Sequence, residues 1–228
     1  MRIDQVGDGV WQVETLPYVN VWVLADDDSG VTVVDASVAA VHRRIVGALG
    51  RLGFDRVDRL LLTHCHPDHA GGAAELVERF RVGEVLAGAG DVPWVASGEM
   101  PPNDPATLGG RVLGRFAHTV APVPSVRPVP ERLAVAGGLV AVPTPGHSPG
   151  HTAFHLPARG ITIGGDAVFN VFRLGPSFAA FCSDVGRSHA SMLTLADLEP
   201  GTLLLAHGTP LTGDVAGRLR ELHARVTG

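Results

Sequence analysis

The chain of 228 residues contains no lysine, so its 18 basic side chains are all arginine. It has two cysteines, Cys65 and Cys182, one tyrosine, Tyr18, and a formal net charge of −5. Each scarcity excludes something. Two cysteines do not make a disulfide framework. An acidic balance argues against nucleic acid, which demands basic patches; Arg43 with Arg44, and Arg218 with Arg220, read as solvated helix faces. No apolar stretch is long enough to span a membrane. Behind Arg2, the segment Ile3-Asp4-Gln5 lacks the apolar run of a signal peptide. These absences predict a soluble, cytoplasmic protein with no nucleic-acid or membrane partner, and they leave the oligomeric state open. Abundant arginine, alanine, glycine and valine without lysine fits the codons of a GC-rich bacterial genome. At 45% hydrophobic the chain can bury a full core. No repeats or linkers interrupt it, which predicts one domain over residues 1–228.

What is present is dense with metal ligands. Thr63-His64-Cys65-His66-Pro67-Asp68-His69 follows the apolar run Leu60-Leu61-Leu62. That run reads as a short buried strand. Side chains alternate along a strand, so His64 and His66 can point the same way and hold one metal. Pro67 stops the ladder, and Asp68 and His69 at the turn into a helix can address a second metal. Clustering so many titratable groups costs free energy unless something binds them. Zinc takes imidazole and carboxylate ligands, and a catalytic site leaves a position open for water.

The same grammar recurs three times. His147 follows the strand-like run Leu139–Val142, Asp166 ends Ile161-Thr162-Ile163-Gly164-Gly165, and His207 ends Leu203-Leu204-Leu205-Ala206. Glycine beside each lets the backbone turn tightly. Ligands at the ends of several strands can converge on one edge of a sheet.

The H-x-H-x-D-H motif, the later His147, the Gly-Asp at Asp166 and the Gly-flanked His207 resemble the metallo-β-lactamase superfamily of metallo-hydrolases. The resemblance spans nearly the whole chain, in the family's order. It implies an α/β fold, a four-layer αβ/βα sandwich with metals at one edge. It implies two divalent metal ions, zinc first, with iron or manganese compatible. His64, His66 and His147 would hold one ion, Asp68, His69 and His207 the other, and Asp166 would bridge them. Asp35, in Val-Val-Asp-Ala-Ser, resembles a family carboxylate that lies behind the ligands and accepts an imidazole N–H; a helix cap is the other reading. Some relatives use a cysteine as ligand, but Asp166 fills that role here. Cys65 and Cys182 are therefore expected to be buried and metal-free. His151 is expected to be buried and hydrogen-bonded rather than a ligand, and His155 structural. His42, His118, His189 and His223 are expected at the surface.

Hydrophobic patterning supplies the scaffold. Strands are expected at 10–14, 19–24, 31–34, 84–87, 133–142, 152–156, 161–165 and 202–206. A hairpin turn is expected at 26–30. Helices are expected at 37–52, capped by Ser37, at 73–80, at about 187–198 and at about 213–226. In the second of these Leu76, Val77 and Phe80 should point inward. Residues 93–130 hold eight of the 17 prolines and read as a long loop.

Two cations about 3.5–4 Å apart can bridge a water and bring its pKa to about neutral. Such a metal-bound hydroxide would attack a small-molecule ester, thioester or lactone, with Asp68 as the candidate catalytic carboxylate. The alternative is an iron-dependent, persulfide dioxygenase-like oxidoreductase on the same scaffold. That family carries Gly-Arg-Thr-Asp where this chain has Asn170-Val171-Phe172-Arg173. Glyoxalase II uses basic residues for glutathione, and there is no lysine here. Lactonase relatives use a tyrosine near the metals, a role open to Tyr18. The candidate substrate pocket is Tyr18, Trp94, Phe169, Phe172 and Phe178, with Met100 and Phe181 beside it.

Overall fold

The computed structural model describes residues 1–26, 30–114 and 119–228. Asp27, Asp28 and Ser29 of the expected hairpin turn, and His118, lie outside the described residues. The elements run β1 (Arg2–Gly7), β2 (Val10–Leu16), β3 (Val19–Ala25), β4 (Val31–Val34), α1 (His42–Arg51), β5 (Val57–Leu62), α2 (Pro67–Ala70), α3 (Ala73–Arg79) and β6 (Val82–Ala87). They continue with α4 (Val92–Ser97), α5 (Leu108–Leu113), β7 (Arg127–Pro128), β8 (Arg132–Leu133), β9 (Leu139–Pro143), β10 (Thr152–Leu156) and β11 (Ile161–Ile163). β12 (Val168–Asn170), β13 (Leu174–Pro176), α6 (Val185–Asp197), β14 (Thr202–Leu204), β15 (Leu211–Thr212) and α7 (Val215–Thr227) complete the chain.

Strands β1 to β7 form one sheet in sequence order, and β15-β14-β11-β10-β9-β8 form a second. The alternation of side chains sorts the core into three layers. Val21, Val23, Val33, Leu60 and Leu62 face outward onto Ile45 and Leu49 of α1 and Leu76 of α3. Their neighbours Trp22, Leu24, Val34 and Leu61 face inward and meet Leu139, Phe154, Leu156, Ile163 and Leu204 of the second sheet. On that sheet's other face Ala153, Leu203 and Leu205 pack on Met192 and Leu195 of α6 and on Leu219 and Leu222 of α7. The order helix, sheet, sheet, helix is the four-layer αβ/βα sandwich. Strands buried on both faces carry continuous apolar runs, as parallel strands do.

Strand direction places the site. β4, β5 and β6 are mutually parallel. β9 and β11 are both antiparallel to β10, and β14 is parallel to β11. The C-terminal ends of β4, β5, β9, β11 and β14 therefore lie at one edge. Among the described residues no helix is long and apolar enough to cross a membrane.

Several local expectations are corrected. β5 stops at Leu62, so His64 and His66 sit in a turn and not on a strand; Pro67 then occupies the first turn of α2, where its missing N–H leaves no gap. Ser37 does not cap α1. Its φ is +55°, and its hydroxyl lies 2.8 Å from that of Thr15 while a short 3₁₀ turn, Ala39–Val41, precedes the helix. The strand expected over 133–142 is broken by the positive-φ run Ala136-Gly137-Gly138. Residues 93–130 contain α4, α5 and β7; Pro93 stands in the first turn of α4, so the proline content hid a helix. Val77 is exposed, whereas Leu76 is buried and Phe80 packs against the core as expected. His42, His189 and His223 are half-buried.

The middle layer makes a direct prediction. Leu61 is 0% exposed between the sheets, whereas Leu108 on α5 is 70% exposed. Leu61→Ala should cost ~2–5 kcal/mol in urea unfolding. Leu108→Ala should stay within ~0.5 kcal/mol. Equal losses for the two would contradict the layer assignment.

Candidate metal centre

Four strand ends deliver the seven candidate ligands. The turn after β5 carries His64 and His66, and α2 carries Asp68 and His69. The turns after β9, β11 and β14 carry His147, Asp166 and His207. Two glycines are required by these turns. Gly146 has φ +127°, and a Cβ there would collide with the Ser188 backbone; Gly208 has φ +95°, and a Cβ would collide with the Asn170 carbonyl. Only glycine combines such dihedrals with such close approach.

All seven side chains meet. Three groups have ligand atoms within 4.8 Å of one another: His64, His66 and His147; His64, His69 and Asp166; Asp68, His69 and His207. His66 Nδ1 and His147 Nε2 are 2.9 Å apart. Asp166 lies at the centre. Its Oδ2 is 3.4 Å from Nε2 of both His147 and His207 and 4.0 Å from His64 Nε2, and its Oδ1 is 3.4 Å from His69 Nε2. Asp68 Oδ2 is 3.2 Å from His207 Nε2, and Asp68 Oδ1 is 3.7 Å from His69 Nε2.

Partners behind the rings set their orientation. Asp35, buried with φ +67°, accepts from Thr63 N and Oγ1, and its Oδ2 is 2.9 Å from His69 Nδ1. The Thr63 hydroxyl also lies 3.1 Å from His64 Nδ1. Ser177 Oγ is 2.6 Å from His147 Nδ1, and the Tyr18 carbonyl is 3.2 Å from His207 Nδ1. His151 is buried; its Nε2 accepts from the Asp166 backbone N–H at 3.0 Å, and its Nδ1 faces Thr144 O. That pairing fixes its tautomer, and burial lowers its pKa to about 4. Cys65 and Cys182 are buried and belong to none of the three ligand groups. Ser177 and the tyrosine carbonyl carry no sequence signal, since a serine or a backbone oxygen can stand anywhere.

Electrostatics divide the imidazoles. Burial, together with the neighbouring imidazoles, pushes His64 and His147 well below the usual histidine range. Burial also opposes charge on His69 and His207, but the carboxylates outweigh it. Asp166, Asp68 and Asp35 raise His69, and Asp166 and Asp68 raise His207 to about 9. Burial would raise Asp68, yet His69 and His207 draw it down to about 2. Asp166 is held far below the carboxylate range, against burial, by His69 and His207. Protons therefore stand where a cation would sit, and metal binding would displace them.

The residues fit a metal. His64 Nε2, His69 Nε2 and Asp166 Oδ1 are buried without a hydrogen-bond partner. Such atoms cost ~1–3 kcal/mol each when left unsatisfied. A set of imidazole nitrogens and carboxylate oxygens is the set zinc takes.

A cavity of about 680 Å³ opens over the site. Asp68, Asp166, His66, His147 and His207 form its polar floor. Phe169, Phe178 and Phe181 form one wall, and Met100, Pro101 and Pro102 belong to the proline-rich segment. Three expected lining residues are not among those that line it. Tyr18 and Phe172 are exposed and pair edge to face with ring centroids 5.8 Å apart. Trp94 packs instead against the layer between the first sheet and its helices. Sequence proximity to Asp166 does not separate Phe169 from Phe172, because the β12–β13 hairpin turns Phe172 away.

The sequence profile of the Metallo-beta-lactamase superfamily matches residues 15–207. The probable metallo-hydrolase YflN of Bacillus subtilis (strain 168) is 32% identical over 74% of this chain and 71% of its own length. A hydroxyacylglutathione hydrolase of Acidiphilium cryptum (strain JF-5) is 29% identical over 90% of this chain and 70% of its own. The crystal structure of a beta-lactamase domain protein from Burkholderia ambifaria superposes with a TM-score of 0.76 at 26% identity, covering 98% of this chain and 75% of that one. Fold, ligand geometry and profile agree, and the chain belongs to the metallo-beta-lactamase superfamily.

Proposed function

We propose that the chain is a dinuclear metal-dependent hydrolase of small esters, thioesters or lactones. The observation that carries the reading is the position of Asp166. Its carboxylate stands between the group His64, His66 and His147 and the group Asp68, His69 and His207. A carboxylate shared by two ligand sets suits two ions better than one. Zinc matches the donors best, with iron or manganese compatible. Bound there, a metal pair supplies Lewis acidity and a nucleophile at neutral pH.

The chain's own groups do the rest. Asp68 is half-buried, lines the cavity and stays ionised, so its carboxylate can accept a hydrogen bond from a water and orient it. Asp35 keeps the His69 Nδ1–H occupied and its Nε2 aimed at the site. Phe169, Phe178 and Phe181 line the cavity and offer an apolar acyl group a surface to pack on. Among the described lining residues there is no arginine, and Glu99 adds a further negative charge. An uncharged acyl substrate therefore suits the cavity better than a phosphodiester. The likeness to hydroxyacylglutathione hydrolases supports thioester chemistry.

Metal titration tests the site. Wild-type protein should bind two ions, and Asp166→Asn should weaken one by more than the ~10–100-fold typical of an outer hydrogen-bond partner. One ion in saturated wild type would remove the dinuclear reading. Iron with oxygen consumption would replace hydrolysis by oxidation.

A substrate panel tests the pocket. Phe178→Ala should lower kcat/KM for hexanoyl esters by about 10-fold or more and leave acetyl esters little changed, as deleted pocket methylenes do. A wild-type preference for phosphodiesters, with acyl turnover indifferent to Phe178, would refute the pocket.

A further inference from the structure

Asp91 is a carboxylate that the hydrolase reading does not use. It follows β6 in Gly88-Ala89-Gly90-Asp91 and is 0% exposed. It is the N-cap residue of α4, yet its side chain makes no capping bond. Its bonds go elsewhere. Oδ2 accepts from Cys65 N at 3.0 Å and from Ser148 Oγ at 2.6 Å, and Oδ1 accepts from Gly150 N at 2.6 Å.

Those donors belong to two different loops. Cys65 stands between His64 and His66 on the first sheet's loop. Ser148 follows His147 on the second sheet's loop. One carboxylate thus ties together the loops that carry three ligands of one ion. The backbones are drawn close enough that side chains are excluded. A Cβ on Gly88 would collide with the Gly150 carbonyl, and one on Gly150 with the Asp91 backbone nitrogen. No basic side chain hydrogen-bonds to Asp91 among the described residues. An unpaired buried carboxylate is costly, and only a full set of donors offsets the cost. Both oxygens face donors, so an amide in its place would turn an N–H against an N–H.

We infer that Asp91 is a positioning residue that sets the distance between the His64–His66 pair and His147, and so governs the ion held by those three and not the other. The inference rests on the proposed dinuclear site.

The test uses metal-free wild type, Asp91→Asn and Ser148→Ala, each titrated with zinc against a chromophoric chelator. Cobalt absorption spectra accompany the titrations, with His147→Ala and His207→Ala as spectral references. Wild type should show two binding steps. Asp91→Asn should weaken one by ~10–100-fold, the usual cost of losing an outer hydrogen-bond partner. The cobalt band it loses should match the one lost in His147→Ala and not in His207→Ala. Ser148→Ala should weaken the same step by a smaller factor, and it carries the test if Asp91→Asn does not fold. Equal weakening of both steps would overturn the inference. So would a lower unfolding midpoint of the metal-free protein with both steps intact, since Asp91 would then be a structural tie alone. Wild type that binds no zinc would remove the hydrolase reading itself, and the inference with it.

Discussion

A buried carboxylate surrounded by imidazoles is the constraint on which this structure turns. Asp166 is 4% exposed and lies within 3.4 Å of ring nitrogens of His69, His147 and His207. Burying a charge of that kind is costly unless opposite charge reaches it. In the protein alone, protonated His69 and His207 supply it. The arrangement is poor as hydrogen bonding, since Asp166 Oδ1 and two imidazole nitrogens lack partners. It is good as coordination, because lone pairs converge from several directions on the same small volumes. Asp35, Ser177 and the Tyr18 carbonyl then occupy the outward ring nitrogens and leave the inward ones for the metal.

That convergence requires both sheets. His64, His66, Asp68 and His69 come from the first, and His147, Asp166 and His207 from the second. Their relative position is set by the layer between the sheets, where Trp22, Leu61 and Phe154 are fully buried. A close-packed interior resists continuous deformation, so the middle core fixes the coarse separation of the two halves. Fine adjustment falls to local ties at the edge, one of which is the buried Asp91 carboxylate, bonded into both ligand loops. A backbone bond from Thr152 N to Thr63 O at 2.9 Å runs beside it.

Much of this was legible in the sequence because the signal is local. An apolar run, a tight turn and a ligand type lie within about ten residues of one another. The four ligand stretches can therefore be read without knowing the fold. The three core layers follow from the alternation of residues such as Val33 and Val34, once strands are assigned. What was not legible depends on contacts between distant segments. Ser177 meets His147 across 30 positions, and Asp91 meets Cys65 and Ser148 across 26 and 57. Asp91 obeys the same strand–glycine–carboxylate grammar as Asp166 but stands without a neighbouring histidine. The pocket misled for another reason. Phe169 and Phe172 are three residues apart, yet one lines the cavity and the other is 90% exposed, because a hairpin reverses between them.

The cavity lining comes from two kinds of chain, strand ends and the proline-rich segment. The metal floor is built on strand ends anchored in the core. Met100, Pro101 and Pro102 of the lining belong to the proline-rich segment, which Asp104 helps to fasten. Its Oδ2 accepts from Val185 N at 3.0 Å, at the start of α6, and its backbone N donates to Cys182 O at 2.7 Å. Gly109 packs so tightly on Ala180 that a Cβ would overlap it, which presses α5 against the turn bearing Phe181. The same segment is tied to the first sheet, where β7 pairs with β6 and Val95, Val123 and Val126 join the core. The stretch that Asp104 holds also reaches a candidate ligand, because Ser183 N, next to Cys182, donates to the His147 carbonyl at 3.1 Å. In a fold where sites are grafted on a common scaffold, the residues of this segment that line the cavity contribute to its shape and the strand ends contribute its ligand groups.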